Sequence, residues 1–193
     1  MVINNDKYGF VDETGKEIIP CIYDKAVDFY NGKTIVIQDN KEYVIDNSGN
    51  ILSEIKTKYT VEEYNGKFIL IRNKTGKLGL LDLENKIVSF PKYNYIGSFE
   101  NNYAVVGNEN GEYGLIDKTG KEVLPLNYNE LINFGEDGFI YAEEYEYGFM
   151  DKNLKKITKA KYEHAGGYSD GYAVIIDNIT NGKLGLLDLE NLF

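Results

Sequence analysis

Tryptophan is absent from this sequence, histidine and cysteine occur once each, and there are only three prolines. The lone thiol, Cys21, excludes an intramolecular disulfide and suits a reducing compartment. A zinc set built from His164, Cys21 and carboxylates would be poor chemistry for that metal. No segment nears the roughly 18 apolar residues of a membrane span, and the opening MVINNDKYGF has neither the cationic stretch nor the apolar core of an export signal. As written, the sequence is expected to act in the cytoplasm, away from membranes. No stretch of about ten residues keeps a convincing 3.6-residue apolar period, so helices are not expected either.

Basic residues are the minority charge: 21 Lys and Arg stand against 31 Asp and Glu, a net −10. A field of that sign opposes the phosphate contacts that dominate nonspecific nucleic-acid affinity, which argues against DNA and RNA partners. The same field attracts a basic protein, although scattered acids also serve solubility alone.

Signatures of chemistry are equally scarce. The phosphate-loop patterns GxxxxGK[ST] and GxGxxG do not occur. The stretch DKTGKEVLPLNY fails as a calcium loop because its third and fifth places carry no acid. His164 has only Glu163 beside it in sequence, and nothing marks a base for Cys21, so neither reads as catalytic. Among 31 acids no pair can be singled out for glycoside hydrolysis. The chain is expected to be non-enzymatic, without cofactor or metal. An unrecognised glycoside hydrolase is the remote alternative.

Against these absences stands repetition. KYGFVDETGKEIIP at 7–20 returns as EYGLIDKTGKEVLP at 112–125, and weaker copies read EYVIDNSGNIL, KLGLLDLENKIVSFP, YGFMDKNLKKI and KLGLLDLENLF. The anchoring aspartates Asp12, Asp46, Asp82, Asp117, Asp151 and Asp188 are spaced by 34, 36, 35, 34 and 37 residues. A near-constant period of this size marks a repeat array. Units begin near residues 7, 42, 77, 112 and 146, with a partial terminal unit at 183–193, in one domain covering 1–193.

Each unit carries the same parts. A short apolar run such as YGFVD reads as strand A, the tetrad DETG or DKTG as an Asx-capped turn whose glycine takes positive φ, and KEIIP or KEVLP as strand B. Proline donates no ladder bond, so pairing is expected to stop at Pro20 and Pro125. Tyr23, Tyr93, Tyr128 and Tyr162 follow the aspartate by eleven residues, with Tyr59 displaced by two in the second unit. A further aromatic comes next: Phe29, Tyr64, Phe99, Phe134 or Tyr168. A β-rich strand C such as Thr34–Gln38 closes the unit, and 17 Tyr with 9 Phe favour pleated sheet. The segment between proline and aromatic reads as irregular chain or a brief strand. The fold expected is all-β, with tandem three-stranded repeats of about 35 residues and six C–A hairpins. Two packings suit it, an open twisted array or solenoid and a closed propeller-like ring. The short unit favours the open array, since a four-stranded propeller blade usually takes about 40–50 residues.

Aromatic-Gly-apolar-apolar-Asp, then Thr-Gly-Lys-Glu-apolar-apolar-Pro, then Tyr, Phe and Gly in order, resembles the bacterial WG-repeat proteins across essentially the whole chain. Tyr8, Tyr113 and Tyr147 stand where that family carries its tryptophan, Leu78 and Leu184 replace it elsewhere, and the second unit lacks the glycine. The resemblance implies a bacterial binding or interaction module without cofactors.

The recurring Tyr23, Tyr93, Tyr128 and Tyr162 would form a line along a stack, either as a core ladder or as a surface row for a glycan. The slot two residues later varies between copies, holding Lys25, Tyr95, Glu130 and His164. Variable positions on a repeated frame suit specificity, so Tyr95, Glu130 and His164 join the tyrosines as candidate binding residues. The function expected is recognition of a protein partner, a basic toxin or similar protein, by an acidic β surface. Glycan or cell-wall binding along the tyrosines is the alternative.

Overall fold

The computed structural model describes residues 1–64, 67–100, 102–134, 137–169, 171–177 and 184–189, with the side chains of 167–169 outside that description. It is all-β, and its strands pair antiparallel in five sheets. The chain divides into two compact units, Met1–Lys92 and Tyr93–Phe193.

In the first unit, β1 (Val2–Asn4), β2 (Lys7–Val11) and β3 (Glu17–Tyr23) form one sheet. The second sheet follows as β4 (Lys25–Ala26), β5 (Lys33–Gln38), β6 (Lys41–Asp46) and β7 (Ile51–Ile55). Next come β8 (Thr60–Tyr64), β9 (Ile69–Arg72), β10 (Leu78–Leu81) and β11 (Ile87–Tyr93), whose last residue opens the second unit. That unit continues with β12 (Tyr95–Ile96), β13 (Tyr103–Gly107), β14 (Tyr113–Asp117) and β15 (Glu122–Tyr128). Its other sheet holds β16 (Glu130–Asn133), β17 (Phe139–Glu143), β18 (Glu146–Met150), β19 (Tyr162–Ser169), β20 (Tyr172–Asp177) and β21 (Leu184–Asp188).

The repeat therefore has four strands rather than three. The segment before the aromatic forms a short leading strand, only two residues long in β4 and β12. Four strands thus fit into about 35 residues, and the length argument that favoured an open array falls away. Tight hairpins help: Asn5–Asp6, Asp39–Asn40 and Glu144–Tyr145 each place two residues at φ between 48° and 67°, as two-residue primed turns require. The terminal partial unit is described only over 184–189.

Both faces of the inner strands are buried, and alternation sorts them. In the second sheet Val36 and Ile45 join Phe10, Ile19 and Tyr23 of the first, while Ile35 and Val44 join Ile69, Ile71 and Leu81 of the third. In the second unit Tyr141 and Met150 pack with Leu115 and Tyr128, whereas Ile140 and Phe149 pack with Tyr162 and Ala173. This is why these strands read as continuous apolar runs instead of alternating ones. Each Val, Leu, Ile, Phe or Met among these side chains contributes about 1.5–3 kcal/mol on burial.

The A-strand glycine and the B-strand proline explain each other. Tyr8 pairs with Tyr23 and Phe10 with Ile19, so β3 carries two more residues than β2 across that interval, a bulge. The register of β14 on β15 repeats it, with Tyr113 on Tyr128 and Leu115 on Leu124. A Cβ on Gly9 would sit 2.6 Å from the Ile19 carbonyl oxygen, and one on Gly79 would sit 2.5 Å from that of Ser89. Only glycine leaves room for the bulged backbone. Pro20 and Pro125 lie in these bulged stretches, and Pro91, the remaining proline of the chain, lies against Gly79, where a Cβ would sit 2.6 Å from the Pro91 nitrogen. Pairing does not stop at the proline, as the sequence suggested; it skips the bulge and resumes at the tyrosine.

The second sheet is a natural control. Tyr43 replaces the glycine, β7 has no proline, and Glu42, Tyr43 and Val44 pair in step with Ile55, Glu54 and Ser53. Two residues are missing from the bulge, so buried Ile55 occupies the tyrosine slot and Tyr59 packs part-buried against the neighbouring core. β7 keeps a one-residue shift between Ser53 and Ile51, but without the two-residue bulge and proline its Ser53–Ile55 edge is more open to unwanted pairing. The Asn85 side chain caps it: Lys56 N–H donates to Asn85 Oδ1 at 2.7 Å, and Asn85 Nδ2 donates to the Glu54 carbonyl at 2.9 Å.

Gly114→Ala, whose Cβ would lie 2.7 Å from the Leu124 carbonyl oxygen, should lose about 1–3 kcal/mol. Gly185→Ala meets nothing closer than the Ile175 side chain at 3.5 Å and should change stability by no more than about 0.5 kcal/mol. Urea unfolding of both variants checks this, and equal midpoints would refute the bulge account.

Candidate functional site

A groove of about 580 Å³ opens in the second unit. One wall is the sheet β12–β15, presenting Tyr95, Tyr113 and Val105; the other is β16, presenting Glu130 and Ile132. Pairing sets the wall: Tyr95 faces Gly107 on β13, and Gly107 faces Tyr113 on β14, so both rings meet over a residue without a side chain. Their centroids are 6.3 Å apart at 79°, an edge-to-face pair. A Cβ on Gly107 would lie 3.2 Å from the Tyr113 ring, and one on Gly97 would lie 3.0 Å from the Tyr95 hydroxyl. Opposite Lys25, Glu130 and His164 the equivalent slots carry Ile37, Ala142 and Ile176, so among these four copies glycine is particular to the slot opposite Tyr95.

Polar groups close the groove. Glu130 accepts a 2.7 Å hydrogen bond from the Tyr147 hydroxyl through Oε2, which raises the Tyr147 pKa, with burial adding to the effect. Tyr147 also lies edge-on to the His164 ring at 5.7 Å. Glu100, Ser98, Asn129 and Asn133 complete the polar rim, and among the described residues no lysine or arginine lines the groove.

The sequence-derived candidates separate cleanly. Tyr23, Tyr93, Tyr128 and Tyr162 are 2–6% exposed and belong to the core. A glycan row along them has no surface to bind, because each ring fills space between packed β layers. Two of them spend their edges internally: Tyr93 donates to Glu122 Oε1 at 2.9 Å, and Tyr128 stacks edge-on to Tyr141 at 5.7 Å. The variable slot does reach solvent. Tyr95 is half exposed, His164 is exposed and Glu130 partly so, and all three lie on the leading strands β12, β16 and β19. Tyr95 and Glu130 share the groove, and His164 approaches it through Tyr147. Of the further aromatics, Tyr64 is core and Phe29 lies edge-on to Phe10, while the Tyr168 side chain falls outside the described residues. The contribution of Gly97 and Gly107 was missed; a glycine inside a strand pattern was the available signal.

A second cavity, of about 510 Å³, lies beside the Glu143–Glu146 hairpin. Lys156 sits there, 2.6 Å from Glu143 and 4.5 Å over the Tyr141 ring. Burial lowers its pKa, but the carboxylate bond and the tyrosine rings outweigh burial and raise it on balance. Cys21 is part-buried, with Sγ 4.0 Å from the Val2 carbonyl oxygen. Among the described residues no group of three or more His, Cys, Asp or Glu is placed to hold a metal ion.

The family model described as WG containing repeat matches residues 8–41, 79–111, 113–144 and 147–178. None of the curated proteins matches the sequence. Structural neighbours are β-propellers. They include Hsv2p of Kluyveromyces lactis (9% identity, TM-score 0.47, 89% of this chain and 63% of that one) and the WD40 beta propeller domain of Doa1 (11%, 0.34, 88% and 65%). BamB from Moraxella catarrhalis is another similar structure (14%, 0.40, 83% and 62%). The chain thus spans somewhat under two thirds of each of these proteins.

The recurring aspartates cap turns. Asp117 Oδ1 accepts from the Thr119 N–H at 2.8 Å, the Thr119 hydroxyl at 2.6 Å and the Lys121 N–H at 3.1 Å, and Asp12 repeats the set. Asn73 and Asn108 cap the same turn without a charge. The hydroxyl bond from Thr14 or Thr119, with backbone N–H groups behind it, holds Asp12 and Asp117 below their ordinary carboxylate pKa; at Asp46 the leading donor is Asn50. A carboxyl whose pKa falls on folding adds stability above its unfolded pKa, and that stability is lost as pH drops through the folded value. The triple variant Asp12→Asn, Asp46→Asn, Asp117→Asn should fold at neutral pH and lose stability less steeply below about pH 4. Urea midpoints measured across acid pH check this; an unchanged slope would show that the carboxylates add nothing proton-linked.

Proposed function

The chain belongs to the WG containing repeat family, and on that premise we propose that it is a non-enzymatic bacterial interaction module that recognises a basic segment of a partner protein. The groove of β12–β16 carries this reading. It combines the exposed Tyr95 ring, an aliphatic floor and the carboxylates Glu100 and Glu130, with no cation among its described lining residues. The net charge of −10 adds long-range attraction for a cationic partner. A toxin or comparable basic protein has the required chemistry.

Fluorescently labelled peptides rich in Lys and Arg test the proposal against the wild type and the double variant Glu100→Gln, Glu130→Gln. Neutralising both carboxylates should weaken binding about tenfold, equivalent to about 1.4 kcal/mol. Raising salt from about 0.1 M to about 1 M shortens the screening length from about 10 to about 3 Å and should weaken it further. Failure of every cationic peptide to bind, or affinity indifferent to both salt and the double variant, overturns the reading.

A further inference from the structure

Resting on the cationic-segment reading, we propose that the groove is a side-chain-selective subsite that accepts an arginine, in preference to a lysine, from the partner. Gly97 and Gly107 remove the side chains that would separate or prop up the rings, so Tyr95 and Tyr113 form a preformed edge-to-face pair with the Tyr95 ring half exposed. A planar guanidinium stacks on such a ring, whereas a lysine ammonium is a compact, strongly hydrated point charge. Glu130 supplies the planar carboxylate that a guanidinium pairs with through two hydrogen bonds. The bond from Tyr147 to Glu130 Oε2 fixes where that carboxylate points. Val105, Leu131 and Ile132 line the same groove and accommodate the methylene stem of a long cationic side chain. Aromatic face, oriented carboxylate and apolar floor are together what an arginine can use and a lysine uses only in part.

The probes are two otherwise neutral peptides that differ in one central residue, arginine or lysine, titrated against the full chain. The wild type should bind the arginine peptide about fivefold or more tightly. Tyr95→Ala should abolish the preference. Gly107→Ile should reduce it by displacing the Tyr95–Tyr113 pair; because Ile37 and Ile176 fill the equivalent slot in other sheets, circular dichroism should show the fold retained. Tyr147→Phe, a positioning change, should lower the arginine preference more than the affinity for lysine. Equal affinity for the two peptides, or a preference that survives Tyr95→Ala, overturns the arginine subsite. If both peptides bind equally and both weaken with Glu130→Gln, the cationic-segment reading stands while this inference falls. If neither binds and the Lys- and Arg-rich peptides also fail, both fall.

Discussion

Two-sided burial is the constraint on which the rest depends. A 35-residue meander has two apolar faces and covers neither by itself, so within each unit the sheets must pack on one another. Val36 and Ile35, adjacent in one strand, serve different cores, as do Ile140 and Tyr141 in the second unit. Strand alternation sends successive side chains to opposite faces, and both faces are dry. Large aromatics at the recurring tyrosine position are absorbed by this demand, which is why they are unavailable for binding.

The edge of each sheet poses a second constraint. The B strands β3, β7, β11 and β15 end their sheets, whereas β19 lies inside the six-stranded one, and an open edge invites pairing with another chain. Three of these four carry a proline opposite an A-strand glycine, with the two-residue bulge at β3 and β15, and the fourth, β7, lacks the glycine, the proline and that two-residue bulge and is capped by Asn85. Glycine and proline keep company in those three sheets, whereas the fifth repeat carries Gly148 without a proline, and a Cβ there would meet the Tyr141 ring at 2.6 Å instead of B-strand backbone. A sequence separation of about eleven residues hid the pairing of glycine with proline, because a proline is ordinarily read as a local stop.

The candidate site arises where the repeat departs from its own pattern. Opposite Lys25, Glu130 and His164 the slot holds Ile or Ala, and opposite Tyr95 it holds Gly107. Removing a side chain there opens a groove and lets two tyrosines meet above the backbone. That Tyr95 and Glu130 occupy a slot that varies between copies was legible in the sequence. That they face one groove was not, because they lie 35 residues apart on the leading strands of different sheets.

By itself the sequence determined the period, the all-β class, the Asx-capped turns and the family, since each depends on local spacing and on which residues tolerate a given φ. Tertiary structure alone decided that the tyrosines are core, that the repeat has a fourth strand, that proline marks a bulge instead of an end, and that glycines sculpt the groove. Those outcomes depend on which backbone lies opposite which. Cross-strand partners are set by packing between segments whose spacing no local pattern encodes.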